Sequence, residues 1–218
     1  RLGPSALIGI QAVLIGLAIG LILGILAAWK HNSGIDYLTM ILAVLGVSVP
    51  NFVAAALLQY YIGLKWGVLP VGFWTGWNCS VLPSIALSFS ATAMVARFMR
   101  TEMLDVLDQD YIITARAKGL SQMKVLMRHA VRNSILPVVT ILGPIVVNLM
   151  TGSLAVENIF SIPGIGSLFV DCIKANDYPV IMGITIFYAA FYMLIVLLVD
   201  LAYSLIDPRI RLAKGKES

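Results

Sequence analysis

Side chains that could carry out covalent or metal chemistry are scarce in this chain of 218 residues. Its two histidines, His31 and His129, have no cysteine or carboxylate at a spacing that would hold a metal ion. Asp200 lies within a long apolar segment, where aspartyl protease chemistry would need a second carboxylate to share its proton. The other acidic residues fall in polar segments or beside the ends of apolar ones. The sequence therefore argues against an enzyme, and it predicts no metal site.

Charged side chains that could bind a partner are concentrated between Met99 and Pro137. The whole chain is 60% hydrophobic and only 12% charged, which excludes an ordinary soluble domain and predicts a polytopic membrane protein. The polar segment then lies between membrane spans, and a loop of this length is expected to have structure of its own. The alternative is a solvated loop whose opposite charges neutralise each other and only orient the chain, because exposed ion pairs contribute little.

Two short helices with a sharp turn between them are predicted inside this polar segment. Gly119 can end the first helix in a left-handed turn, and the hydroxyl of Ser121 can cap the second. The first helix is expected to have an apolar side made of Leu104, Leu107, Tyr111 and Ala115. The second is expected to have an apolar stripe made of Met123, Leu126, Met127, Ala130 and Val131.

Three parts of the same segment resemble the cytoplasmic coupling loop of ATP-binding-cassette importer permeases, in the form found in the dipeptide/oligopeptide permease family. They are Ala115-Arg116-Ala117-Lys118-Gly119-Leu120, Arg128-His129-Ala130, and Asn133 with Leu136-Pro137. The chain departs from the general motif, since Ile113 stands at its glutamate position and the Leu-Pro pair comes late. The resemblance implies that the turn docks into a groove on a separate ATPase subunit. The coupling residues that it implies are Ala115, Arg116, Ala117, Lys118, Gly119, Leu120, Ser121, Val125 and His129.

A second stretch resembles the loop near the outer mouth of the pathway in the same family. It comprises Thr151-Gly152-Ser153, Glu157, Pro163-Gly164-Ile165-Gly166 and Asp177-Tyr178. The gate residues predicted here are Glu157, Phe160, Pro163, Gly164, Ile165 and Gly166. Glu157 is expected either to face the pathway or to lie in headgroup water.

Local patterns in this outer stretch also predict its backbone. Pro163-Gly164 suits a type II turn with a positive φ at the glycine. A short amphipathic helix should follow, with its apolar side made of Ile165, Leu168, Phe169 and Cys172. Asp177 is expected to cap the last span, and Pro179 to lie in its first turn.

Five apolar segments are long enough, or nearly so, to cross about 30 Å of hydrocarbon. They cover residues 5–28, 37–64, 81–96, 135–156 and 179–206, and the second is broken near Pro50. Gly16, Gly20 and Gly24, with Gly9 two turns earlier, should let another helix approach the first span closely. Residues 1–218 are expected to form one all-α transmembrane domain, with residues 99–137 as its coupling loop. The resemblance implies the type I ABC importer transmembrane fold, without the N-terminal helix that the family usually has.

Lysine and arginine predict the orientation of the chain. With the Gly119 turn inside, twelve of these residues lie on the inner side and three on the outer side. The coupling loop and the C-terminal tail, whose Asp207-Pro208-Arg209 also resembles the family, are then expected to be cytoplasmic, and the resemblance implies a bacterial plasma membrane. The basic charge reflects this topology, and nucleic acid is excluded as a partner because no basic groove with interleaved aromatics occurs. Cys79 and Cys172 both fall outside, so a disulfide between them stays open.

Polar side chains within the spans could line a route for peptides or bond one helix to another. They are Ser48, Asn51, Gln59, Ser88, Thr92, Asn148, Thr151 and Ser153. Asp200 is expected either to pair with Arg97 or Arg100 at an inner helix end or to take part in the pathway.

The resemblance implies the permease subunit of an ATP-driven peptide importer. Its partners would be a second, homologous permease, two cytosolic ABC ATPases, an extracytoplasmic peptide-binding protein and the lipid bilayer. ATP would be used by the partner subunits, and this chain would bind no cofactor itself. The alternatives are an intramembrane enzyme and a secondary transporter, which would predict internal repeats and ionisable residues at mid-membrane. The substrate stays open among dipeptides, oligopeptides, glutathione-like peptides and metal chelates. The outer loop between Trp66 and Trp77 favours oligopeptides through overall likeness.

Overall fold

The computed structural model describes residues 1–150 and 154–206, with the side chains of residues 150, 200 and 202–206 excepted. Helices make up most of the described chain. They are α1 (Leu2–Trp29), α2 (Gly34–Ser48), α3 (Asn51–Leu58), α4 (Val81–Leu107), α5 (Asp110–Ala117), α6 (Gln122–Val125), α7 (Arg132–Met150), α8 (Leu154–Ile159), α9 (Ile165–Lys174) and α10 (Tyr178–Ile206). The predictions for Thr151, Ser153, the side chain of Asp200 and the tail from Asp207 onward lie outside the described residues.

Four helical segments in the described ranges are long and apolar enough to cross a membrane, and a bent pair of helices makes up to five. The four are Leu2–Trp29, Trp77–Leu107, Gln122–Leu149 and Tyr178–Val199. The bent pair joins Gly34–Ser48 to Asn51–Lys65 at an angle of 99°. The predicted break near Pro50 is confirmed, and it is a corner because Val49 and Pro50 are both extended.

The helices α1 and α4 form the centre of the bundle, where their backbones come into close contact. Gly16, Gly20 and Gly24 are all buried on the side of α1 that faces α4. A Cβ atom on Gly20 would lie 2.7 Å from the Cβ of Val95 and 2.9 Å from the carbonyl oxygen of Thr92. The close approach predicted from the spacing of these glycines is confirmed, since no larger residue fits without separating the helices.

Two spans differ in length from the predictions. The third was expected to end at residue 96, but α4 continues to Leu107, and Met99 and Met103 are completely buried along it. The charged side chains of this stretch had suggested a loop. They lie on the sides of α4 away from Met99 and Met103, and the buried side of the helix stays apolar. The fourth span begins at Gln122 instead of residue 135, and Val156 belongs to the separate helix α8.

Candidate functional site

The turn predicted at Gly119 lies between α5 and α6, and we call residues 110–125 the knuckle. The backbone of Gly119 is left-handed, with φ of +77°. The N–H of Gly119 donates to the carbonyl of Arg116 at 2.9 Å, and the N–H of Leu120 donates to that of Ala115 at 3.4 Å. These two bonds are those of a Schellman motif, in which a left-handed residue ends the helix and satisfies its last carbonyls. The prediction of a helix, a sharp turn and a second helix is confirmed.

A small hydrophobic cluster holds the knuckle together. Ile112, Ala115 and Val125 are its buried members, and the half-buried side chains of Val106, Leu107 and Leu120 pack around them. Val106 and Leu107 belong to the last turn of α4, so the same cluster joins the knuckle to that helix. A cavity of about 240 Å³ beside the cluster is lined by Trp29, Leu107, Arg116, Gln122, Val125 and Leu126. The knuckle is therefore packed against the end of α4, and Trp29 at the end of α1 lines the cavity beside it.

The predicted coupling residues divide between the surface and the interior of the knuckle. Five are exposed around the turn: Arg116, Ala117, Lys118, Gly119 and Ser121. Leu120 and His129 are half-buried, while Ala115 and Val125 belong to the buried cluster. The exposed residues can contact a partner, whereas Ala115 and Val125 support the shape that those residues present.

Details of the two predicted helices differ in the structure. Met123 and Met127 are 51% and 53% exposed, although both were expected in the apolar stripe. Residues Leu126–Val131 form a π-helical turn, whose i→i+5 bonds break the 3.6-residue period on which the stripe was based. Leu126 and Ala130 are buried as the stripe predicted, and Val125, which the stripe did not include, is buried as well.

One further expectation for this region is wrong, and another is confirmed in position only. Tyr111 is largely exposed, because the helix ends at Leu107 and restarts at Asp110, which rotates the side chains of α5 relative to those of α4. Ser121 does occupy the N-cap position of α6, but its hydroxyl makes no capping bond. Its backbone carbonyl accepts the N–H of Val125 at 3.0 Å instead.

Glu157 forms the centre of a buried polar cluster at the end of the bundle where α1 begins, and its side chain is only 2% exposed. One carboxylate oxygen accepts the hydroxyl of Ser5 at 2.7 Å, and the other accepts the backbone N–H of Ser167 at 2.9 Å. The Ser5 hydroxyl also accepts the N–H of Ile165 at 2.9 Å. Burial raises the pKa of Glu157 above its usual value, and the bonds from Ser5 and Ser167 partly offset this effect. Both sequence interpretations of Glu157, a pathway-facing group and a group in headgroup water, are therefore wrong.

The predicted type II turn at Pro163-Gly164 is also wrong. Gly164 has an extended backbone, with φ of −88° and ψ of −176°, and it is the N-cap residue of α9. A Cβ atom on Gly164 would collide with the carboxylate of Glu157 and would lie 2.5 Å from the hydroxyl oxygen of Ser5. A glycine is needed here because the polar cluster leaves no space for a side chain, not because the backbone is left-handed.

Further hydrogen bonds join the elements around Phe160, which is buried. Its carbonyl accepts the N–H of Phe73 at 2.9 Å, which ties the loop before α4 to the end of α8. The amide of Gln59 donates to the carbonyls of Val71 at 2.6 Å and Ile159 at 2.8 Å. Of the predicted gate residues, Pro163 is the exposed one, and Ile165 and Gly166 are buried at the start of α9. The cap of α10 by Asp177 is confirmed, since Asp177 accepts the N–H of Val180 at 3.3 Å.

The polar residues predicted to line a route lie in separate places. Ser88 and Thr92 line an apolar groove of about 860 Å³ between α1, α2, α3 and α4, and Ser88 also donates to the carbonyl of Ile85 at 2.8 Å. Asn148 lines another cavity, of about 570 Å³, between α7, α9 and α10. Ser48 is exposed and Asn51 is half-buried at the corner between α2 and α3. These two cavities do not bring the predicted residues together.

Sequence reasoning missed a buried ion pair between α2 and α4. The carboxylate of Asp36, which is 1% exposed, is 2.5 Å from Nε and 2.7 Å from Nη2 of Arg100. Arg100 had also been considered as a partner of Asp200, whose side chain lies outside the described residues, and in the described part of the chain it is bound to Asp36. A signal was present, because Asp36 directly precedes the apolar segment 37–64, where a buried acid requires a partner.

The two cysteines are both buried and both free. The disulfide between Cys79 and Cys172 that the sequence left open is therefore not formed.

Comparison with protein families matches residues 20–212 to the family described as "Binding-protein-dependent transport system inner membrane component". The dipeptide transport system permease protein DppB of Bacillus subtilis (strain 168) is 48% identical over 209 residues, which cover 95% of this chain and 67% of that protein. The oligopeptide transport system permease protein OppB of Salmonella typhimurium is 41% identical over 211 residues, which cover 95% of this chain and 68% of that protein.

Comparison with solved structures matches the transmembrane domains of ABC importers. The inward-facing MetNI methionine ABC transporter gives a TM-score of 0.77 at 14% identity and covers 94% of each chain. An amino acid ABC transporter gives 0.68 at 20% identity, covering 94% of this chain and 90% of the other. The predicted all-α fold of type I importer transmembrane domains is confirmed.

Proposed function

Because this chain belongs to the family of binding-protein-dependent transport system inner membrane components, we propose that it is the permease subunit of an ATP-driven peptide importer. Its relatives at 48% and 41% identity carry the names of dipeptide and oligopeptide permeases, which supports a peptide as the substrate. Both substrate lengths occur among these names, so the proposal is a peptide permease without a fixed length. The family is one of transport components, which agrees with the scarcity of catalytic side chains.

The observation that carries the proposal is the knuckle. It presents small and basic side chains on an exposed, well-defined turn, while its own cluster packs it against α4. A partner that pushes on such a turn would move α4 as well, because Leu107 belongs to both the helix and the cluster. We therefore propose that the turn around Gly119 docks on a cytosolic ATPase subunit and transmits its motion to the helices.

The remaining parts of the assembly follow from the same proposal. A second, homologous permease would complete the pathway, two ATPases would supply energy from ATP, and an extracytoplasmic binding protein would deliver the peptide. The knuckle and the C-terminal tail would be cytoplasmic, which agrees with the twelve lysine and arginine residues on that side. The cluster around Glu157, with Phe160 and the start of α9, would lie near the outer mouth.

The test is a co-purification of the complete importer through a tag on this chain, followed by measurement of peptide-stimulated ATP hydrolysis and of peptide uptake. The informative variant is Ala117→Asp, because Ala117 is exposed on a regular helix next to the turn. A carboxylate buried in an interface without a partner costs several kcal/mol, so ATPase retention or coupling should fall about tenfold or more.

The matched control is Gln109→Asp, which adds the same charge at the opposite end of α5. Gln109 is the exposed N-cap residue of that helix, where aspartate is well tolerated. The control should retain the ATPase and its coupling. If both variants behave like the wild type, or if the wild type never retains an ATPase, the proposed function is wrong.

A further inference from the structure

The ion pair between Asp36 and Arg100 joins two helices that are otherwise linked only through apolar contacts and close backbone approach. Two nitrogen atoms of the guanidinium meet the two carboxylate oxygens, so the contact is bidentate. A bidentate pair fixes the relative rotation of its two groups as well as their distance. It therefore holds the first turn of α2 in one orientation on α4.

Further contacts complete the surroundings of the carboxylate. The backbone N–H of Asn32 donates to Asp36 at 3.0 Å, from a residue with φ of +58°. Nδ1 of His31 lies 3.2 Å from the carboxylate and 3.2 Å from Nη2 of Arg100. The short connection between α1 and α2 is thus tied to the same pair.

A second contact shows that α2 lies along α4 beyond this first turn. A Cβ atom on Gly46, near the end of α2, would lie 3.1 Å from the Cβ of Ala93 and 3.1 Å from the carbonyl oxygen of Phe89. The two helices are therefore in close contact at both ends of α2. Such a pair can move together instead of sliding freely, because both ends are held.

The position of the pair connects the knuckle with the corner at Pro50. Arg100 lies seven residues before the end of α4 at Leu107, which is about 10 Å along the helix. The knuckle cluster begins at that end of α4. In the other direction α2 leads to the corner, where the chain turns by 99° into α3. Gln59, at the end of α3, holds the outer elements through the carbonyls of Val71 and Ile159.

Resting on the proposed function, we propose that Asp36 and Arg100 are positioning residues that clamp α2 to the knuckle-bearing half of α4, so that movement of the knuckle reaches the corner at Pro50. The ATPase would displace the knuckle and α4, and the clamp would make α2 follow. The corner would then act as the hinge between this moving body and the outer elements held by Gln59. Without the clamp, α4 would move past α2, and ATP would be hydrolysed without opening the outer part of the permease.

The test is a double-mutant cycle in the complete importer reconstituted with its ATPases and binding protein. The variants are Asp36→Asn, Arg100→Gln and the combination of both. The measured quantities are the amount of assembled importer, ATP hydrolysis stimulated by the peptide-loaded binding protein, and peptide taken up per ATP hydrolysed. Each single variant should lower the peptide taken up per ATP about fivefold or more, at equal amounts of assembled importer. The double variant should be no worse than the worse single variant, because both substitutions remove one shared contact.

Two further variants separate a clamp from a merely structural pair. Arg100→Lys keeps the charge but loses the planar fork, so it should assemble normally and still lower the peptide taken up per ATP. It also serves as the test if a neutral variant fails to assemble. Asp105→Asn removes an exposed charge from the same helix and should match the wild type.

Each outcome decides the matter. The clamp is overturned if Arg100→Lys and every single variant that assembles take up as much peptide per ATP as the wild type. It is also overturned if the losses of uptake per ATP in the two single variants simply add in the double variant. If the wild-type importer and the variants all couple ATP hydrolysis to peptide uptake equally well, only the clamp is wrong. If the wild type shows no coupling, the proposed function itself is wrong.

Discussion

Ser5 and Glu157, which are 152 positions apart in the sequence, share a hydrogen bond of 2.7 Å in a place closed to solvent. The bond ties the N-terminal end of α1 to α8, and the same serine accepts the N–H of Ile165 at the start of α9. Gly164 makes this approach possible because it has no side chain. The end of the bundle where α1 begins is thus held by a buried polar cluster.

Substitution of Ser5 by alanine should destabilise the protein, because it leaves two buried groups without their partner. One oxygen of Glu157 loses a donor, and the N–H of Ile165 loses its acceptor. The expected loss in the free energy of unfolding is about 1–3 kcal/mol. Thermal denaturation of the detergent-solubilised protein checks it. Ser121→Ala is the control, since that hydroxyl is exposed and makes no capping bond. Equal melting temperatures for the two variants would contradict the prediction.

The raised pKa of Glu157 predicts an unusual direction of pH dependence. Its usual value is near 4.5, and burial in the folded protein shifts it upward. The folded state therefore binds this proton more tightly than the unfolded state does. Stability from this group is fully present below pH 4.5 and is lost as pH rises through the higher, folded pKa.

Glu157→Gln removes this titration, so it provides the comparison. On acidification from about neutral pH to about pH 5, the melting temperature of the wild type should rise relative to that of the variant. Melting curves of both proteins over this range give the measurement. The difference in melting temperature between the two proteins could instead stay constant over this range, or change in the other direction. Either result would show that the carboxylate is ionised at least as easily in the folded protein as in the unfolded chain.

A methyl group on Gly20 should force α1 and α4 apart. Its Cβ would lie 2.7 Å from the Cβ of Val95 and 2.9 Å from a backbone oxygen, neither of which is the flexible end of a long side chain. Gly20→Ala should therefore lower the free energy of unfolding by about 1–3 kcal/mol. Gly3→Ala, on the same helix, is the control because nothing lies within 4 Å of its Cβ position. Thermal denaturation should rank Gly3→Ala at or above the wild type, and the reverse order would refute close packing at Gly20.

Substitutions of Gly119 should affect stability through the backbone conformation that they must adopt, and not through the volume of the new side chain. Its φ is +77°, and nothing lies within 4 Å of the Cβ position. Gly119→Ala should cost about 1–2 kcal/mol and loosen the knuckle, which faster hydrogen exchange of residues 110–125 would report. Gly119→Asn should be milder, because asparagine tolerates the left-handed conformation. If both variants exchange as slowly as the wild type, the turn does not depend on glycine.

Local rules predicted much of this protein correctly. The glycine stripe of α1, the break at Pro50 and the left-handed turn at Gly119 all depend on neighbouring residues and on backbone geometry. The same rules failed where a helix departed from regular geometry. Met123 and Met127 followed a 3.6-residue period that the π-helical turn Leu126–Val131 does not keep. The continuation of α4 to Leu107 was not predicted, because the charged side chains on its polar sides suggested a loop. Met99 and Met103 are buried on the opposite side of the helix.

The sequence by itself determined that this chain is a bundle of membrane helices, because its long apolar segments favour hydrocarbon, and there a helix satisfies its own backbone N–H and C=O groups. It also determined the form of the knuckle, whose turn is set by one glycine and its immediate neighbours. Only the tertiary structure decided the partners of the charged groups. Glu157 meets Ser5, and Asp36 meets Arg100, across 152 and 64 positions of sequence. A carboxylate in an apolar protein must find donors, but which donors it finds depends on how the helices pack, and no local pattern specifies that.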